Sequence, residues 1–212
     1  MFFSSLCKTI SLLLLLNRMN DSPSRNAQIM RNFYQRFLCI REVPFPTIAA
    51  INGAAVGAGL CLSLACDLRV CYKSAKLGVT FSQLGIHPGM GSTHFLPKLI
   101  GQQEANKLLL TGELIDGMTA KNIGLVLESL EKDEVIPRAE QLAHQIASAS
   151  PIAVRSCIRT LRLEADTNLD KALWREADAQ SYCYASKDME EGLRAIKAKT
   201  KPEFNQAECY QE

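Results

Sequence analysis

Gly57-Ala58-Gly59 stands between a β-rich run, Pro46-Thr-Ile-Ala-Ala-Ile51, which breaks at Asn52-Gly53, and an apolar helical stretch that stops near Asp67. Strand, glycine turn and helix start, in that order, leave backbone N–H groups unpaired at the turn, where the helix dipole favours negative charge. Such a turn can hold a phosphate, or the oxygen of a carbonyl that becomes anionic during reaction. A bare Gly-x-Gly also serves simply to let a helix pack close on a sheet. The residues that follow decide between these.

Downstream runs Leu84-Gly-Ile-His-Pro-Gly-Met-Gly91, and then Leu110-Thr-Gly-Glu-Leu-Ile-Asp-Gly-Met-Thr-Ala-Lys-Asn-Ile-Gly-Leu-Val126. Together with the Pro-x-Ile-Ala-Ala-Ile-Asn-Gly strand and turn, the Gly-Ala-Gly helix start and Cys66-Asp67, these blocks resemble the enoyl-CoA hydratase/isomerase (crotonase) family over residues 45–204. The resemblance implies an α/β fold: a crotonase-like spiral of strand-strand-helix units, incomplete at its N-terminal side, followed by a helical C-terminal region used for trimerisation. It implies an acyl-CoA thioester as ligand, coenzyme A entering only as part of the substrate with no separate cofactor, and a homotrimer or hexamer.

Hydration or isomerisation of an enoyl thioester requires a stabilised enolate oxygen and carboxyl groups to move protons. By resemblance, the amide of Ala58 is one oxyanion donor, with Gly57 and Gly59 letting the thioester approach. The second donor comes in the family from a Gly-Ala-Asp-type loop, and nothing before Phe45 matches it. The two positions where the hydratases carry glutamates are here Cys61 and Phe81, neither a carboxylic acid. Each general acid or base is worth about 10²–10⁴ in rate, so ordinary hydratase activity is expected to be very low. Substitutes are Cys61 itself, as a thiol acidified near a helix start or as a core thiol, and His87, as a proton shuttle or as a backbone-bound turn residue. Glu113 is placed to face the acyl tail or to sit exposed on its loop. Lys201 and Phe204, beside Lys199, are the positions where the end of the chain reaches CoA in the family. Arg155, Arg159 and Arg162 recur at helical spacing and read as a solvated face, with a CoA phosphate as the alternative.

Two functional readings stay open. One is an enzyme of the lyase class in fatty-acid or amino-acid breakdown, with weak or altered chemistry. The other is a non-catalytic acyl-CoA-binding or oligomer-partner protein, or a truncated inactive product.

The elements that must position these groups come from a chain of 212 residues, 47% hydrophobic and 22% charged, as expected of a globular protein with a full core. A net charge of +2, with the cations spread along the chain, gives no footprint for nucleic acid, and three histidines leave little for a metal. Of eight cysteines, Cys61, Cys66 and Cys71 share one apolar segment without a Cys-x-x-Cys, which suits free thiols in a reducing compartment. Residues 1–16 are apolar with five consecutive leucines, too short for a comfortable membrane span. They read as a targeting segment, mitochondrial ahead of secretory, or as part of the core; peroxisomal and cytoplasmic locations are the alternatives. Residues 20–26 read as a linker, so the expected division is 1–26, a core at 27–132 and a helical region at 133–212. Helices are expected over 27–42, 60–65, up to 99, 102–110, 118–123, 135–149, 152–165, 169–186 and 188–199. Strands are expected over 45–51, 68–72, 76–79 and 125–127.

Overall fold

A computed structural model describes residues 18–204 of the chain; the apolar segment read as targeting or core and the last eight residues lie outside the described part. The first helix, α1 (Pro23–Leu38), begins inside the expected linker. Ser22 accepts from the Arg25 amide as N-cap and Pro23 takes the first helical position, where its missing N–H costs nothing. Ser-Pro here is a helix start, not a spacer.

From β1 onward the chain winds through two parallel sheets. β1 (Ile48–Ile51) leads to β2 (Ala55–Val56) and α2 (Ala58–Leu64). β3 (Leu68–Tyr72) and β4 (Leu77–Gly78) repeat the pattern, followed by α3 (Ser92–Thr111), which breaks at Gly101, and α4 (Gly117–Asn122). β5 (Glu128–Leu130) completes a three-stranded sheet in the order β1-β3-β5, while β2 and β4 form a second. The first two turns of the spiral each add one strand to each sheet, as the strand-strand-helix expectation requires, and β5 extends the first sheet alone. α5 (Val135–Ala147) packs on β1 and β3. α6 (Pro151–Ala165), α7 (Leu169–Cys183) and α8 (Lys187–Ala198) follow, with α7 lying along α1 and α3. No helix among the described residues is long and apolar enough to cross a membrane.

Two strand boundaries differ from expectation. Phe45 and Pro46 stay outside β1 because Pro46 has no N–H to pair and Thr47 gives its own amide to Asp67 Oδ2 at 2.7 Å. Leu125 and Val126 are buried, but their amides fold back onto Ala120 O at the end of α4, so pairing with β3 begins only after Leu127 N meets Arg69 O at 2.8 Å.

α8 is set by a backbone approach. A Cβ at Gly192 would lie 2.5 Å from Leu84 O and 2.6 Å from Leu84 C, on the 3₁₀ turn Ser82–Leu84. Gly192→Ala must therefore lift α8 off this turn. Overpacking of about 3 kcal/mol, less roughly 1 recovered from helix propensity, leaves about 2. The melting midpoint followed by circular dichroism is expected to fall by roughly 4–8 °C.

Candidate active site

Gly57 opens α2 with φ +57°, a conformation that suits glycine. Its amide donates to Gly78 O at 2.9 Å, locking the turn to β4. The first amide of the helix with a partner in the ladder is Cys61 N, bonded to Gly57 O at 3.0 Å, so Ala58, Gly59 and Leu60 keep the orphan N–H groups of a first turn. No atom lies within 4 Å of where a Cβ would sit on Gly53, Gly57 or Gly59. The turn thus combines unpaired first-turn amides with open space on the Cβ side of its glycines.

What stands behind the turn is closed. Cys61 is fully buried in the main core, and its S–H reaches Gly89 O at 3.7 Å. Burial, then the nearby Glu176 carboxylate, pushes the thiol well above its usual range. The idea of an acidified thiol is overturned: the helix dipole is outweighed by desolvation, and Cys61 is a core thiol. Phe81 is half-buried and packs against both hydrophobic clusters of the chain. It immediately precedes the Ser82–Leu84 turn, which packs on α8.

Sequence reasoning missed Glu176, on α7, only 1% exposed. One of its oxygens accepts from Gly91 N at 2.7 Å; the other accepts from Thr93 N at 2.9 Å and Thr93 Oγ1 at 2.5 Å. It caps the start of α3, the Pro-Gly-Met-Gly turn of the sequence, in place of a side chain from α3 itself. Desolvation raises its pKa, and the bonds from Thr93 and Gly91 work against this. Alongside, Tyr34 donates to Gln180 Oε1 at 2.8 Å and Gln180 Nε2 donates to His87 O at 2.8 Å, so α1 and α7 seal this side with satisfied polar groups. A signal was available: Glu176 falls on the same helical stripe as Leu169, Leu173 and Ala177, and a carboxylate on a core stripe needs partners.

His87 donates from Nδ1 to Pro88 O within its own turn, and burial lowers its pKa. This is the backbone-bound reading. Glu113 has its backbone against the open side of Gly78, next to the glycine turn, while its carboxylate pairs with Lys107 at 2.7 Å. Phe204 is half-buried and Lys201 exposed. Their segment is tied to α8, where Glu203 N donates to Glu191 at 2.7 Å.

Arg162 corrects the solvated-face expectation. Arg155 and Arg159 are exposed, but Arg162 is buried. Its guanidinium forks onto Asp67 at 3.0 and 2.6 Å and donates to the carbonyls of Arg41, Val43 and Phe45. Burial alone would raise the Asp67 pKa, but hydrogen bonds from Arg162 and Thr47 hold it below the usual range.

The chain matches the enoyl-CoA hydratase/isomerase family model over residues 14–207. It is 38% identical over 168 residues to a crotonyl-CoA hydratase of Syntrophomonas wolfei, covering 79% of this chain and 65% of that protein. It is 37% identical over 169 residues to the mitochondrial methylglutaconyl-CoA hydratase of mouse, covering 78% and 54%. The chain thus spans somewhat over half to two thirds of these relatives' lengths. Among solved structures, an enoyl-CoA hydratase from Mycobacterium avium subsp. paratuberculosis superposes with a TM-score of 0.79 at 26% identity, covering 84% of this chain and 73% of that one. One from Bacillus halodurans gives 0.76 at 29% identity, covering 86% and 73%.

Proposed function

The chain belongs to the enoyl-CoA hydratase/isomerase family, and from this premise we propose that it binds acyl-CoA thioesters with the thioester oxygen on the Ala58 amide. The observation that supports the reading is the first turn of α2, where Ala58, Gly59 and Leu60 have no partner for their amides in the helix ladder and the glycines have open space on their Cβ side. Enolate stabilisation at such a turn is the part of hydratase/isomerase chemistry that this chain keeps. The part it lacks is proton transfer, because Cys61 is a sealed thiol and Phe81 a packed ring. With both carboxyl positions changed, at about 10²–10⁴ each, hydration of crotonyl-CoA is expected to be slower than an ordinary hydratase's by several orders of magnitude.

A second reading, a non-catalytic acyl-CoA-binding or oligomer-partner protein, is favoured by the closure behind Cys61. A trimer or hexamer fits both readings, given the exposed Ile152 and Leu163 on α6 and Trp174 and Tyr182 on α7. Mitochondrial residence is proposed from the name of the mouse relative.

Ala58 is the first residue of α2, where proline is tolerated. Ala58→Pro therefore deletes one N–H and leaves the helix in place. Calorimetry with acetyl-CoA is expected to show binding by the native chain, weakened by the substitution roughly 2- to 10-fold, the worth of one neutral hydrogen bond. Absence of acetyl-CoA binding by the native chain would overturn both readings. Equal binding by the two proteins would remove the amide from the site.

A further inference from the structure

At the opposite end of α2 from Ala58, about 10 Å along the helix, a cavity of about 190 Å³ opens between α2, α3 and α6. Leu64, Phe95, Leu99, Ile158 and Leu161 make its apolar wall. Arg41, Arg69, Lys98 and Arg162 also line it, against Asp67 as the one carboxylate in the lining.

The charges do not balance. Arg162 and Arg41 are matched, the first by Asp67 and the second by Asp166 at 2.6 Å with Asp67 at 3.5 Å. Arg69, only 7% exposed, has no carboxylate partner among the described residues. Its Nε donates to Leu125 O, and Nη1 donates to the carbonyls of Ser63, Leu64 and Cys66 at the end of α2. Those carbonyls offset part of its charge. Nη2 has no hydrogen-bond partner, yet is not among the sealed, unsatisfied atoms, so it keeps access to the cavity that the side chain lines. Lys98, at the mouth, uses two donors on Ala165 O and Thr167 O and retains a third.

We propose that this cavity binds a short-chain aliphatic carboxylate, its carboxyl on Arg69 Nη2 and Lys98 and its tail against Leu64, Leu99 and Leu161. An unpaired buried cation calls for an anion. The apolar wall selects one with a hydrocarbon tail over an inorganic ion, and an apolar cavity of about 150 Å³ already accepts a benzene-sized guest. The site is separate from the glycine turn and does not depend on acyl-CoA binding there.

Calorimetry on the full chain with sodium hexanoate tests this, with hexanol and inorganic phosphate as probes lacking the charge and the tail. Hexanoate is expected to bind saturably at one site in the millimolar range, and each control at least about tenfold more weakly, the effect of about 1.4 kcal/mol. Leu161→Glu sets a competing carboxylate at the mouth on an exposed residue, so folding is spared. It is expected to reduce hexanoate affinity about tenfold or more, as is Arg69→Gln where that variant folds. No saturable hexanoate binding, phosphate or hexanol binding as tightly as hexanoate, or unchanged affinity in Leu161→Glu would each overturn the proposal.

Discussion

Replacing Arg162 by methionine is expected to lower the melting midpoint by roughly 6–12 °C and to loosen α6 ahead of the rest of the chain. α6 buries only Ile158 and Arg162, so this guanidinium is its main attachment to the body. The substitution removes both forks of the Asp67 pair and leaves three carbonyls, those of Arg41, Val43 and Phe45, without their donor. Breaking a buried pair from one side costs about 3–5 kcal/mol. The low end applies because Asp67 keeps Arg41 at 3.5 Å and both donors of Thr47. Arg162→Lys is expected to recover little, since a point charge cannot serve two carboxylate oxygens and three carbonyls together.

The pH dependence has a definite sign. The folded Asp67 pKa is depressed, so its contribution is present above the unfolded value near 4 and is lost as pH falls through the lower folded value. The gap in melting midpoint between native protein and Arg162→Met should narrow on acidification below about pH 4. A gap that widens there would contradict the pairing. Hydrogen exchange that slows α6 and α7 equally in both proteins would contradict the anchoring.

Cys61→Glu, which places a carboxyl where the family resemblance implies one, is expected to destabilise the chain without raising crotonyl-CoA hydration. The thiol is fully enclosed, and the charge that acts on it is Glu176, a carboxylate held by amide and hydroxyl donors with no ion-pair partner among the described residues. A second carboxylate here must either stay protonated or repel the first. Its extra length also overpacks a core that includes Leu60, Leu64 and Tyr34. The sum is about 3–5 kcal/mol, or roughly 6–20 °C in midpoint. Cys61→Gln separates the two causes, having the size without the charge; it is expected to cost about 1–3 kcal/mol. A Cys61→Glu protein that melts like the native chain and hydrates crotonyl-CoA faster by about 10² would show that the space behind the turn is a working pocket.

Patterns along the chain were enough for the glycine turn and most helices, because each depends on neighbours a few residues apart; the spiral was implied by the family resemblance. Apolar period, Gly-Ala-Gly and the Asn52-Gly53 break are local statements about backbone conformation, and α2, β3 and the C-terminal helices stand within a few residues of where those signals put them. Membership of the family was equally legible, carried by ordered blocks from residue 45 onward. The errors came where a side chain answers to a distant partner. Ser22-Pro23 lies in a stretch that reads as a linker, yet it starts a helix packed on α7. Arg162 looked solvated by spacing, yet closes on Asp67, 95 residues away. At Cys61 the sequence left an acidified thiol and a core thiol both open, and the sealed core, with Glu176 brought from α7, decides for the core thiol. Burial and charge pairing are properties of three-dimensional neighbourhoods, and a local pattern carries no term for them. What the chain's order of residues determined was a glycine turn at a helix start and the lack of a carboxyl at positions 61 and 81; the tertiary structure alone decided that the Cys61 thiol is enclosed in the core and the Phe81 ring packed against both apolar clusters.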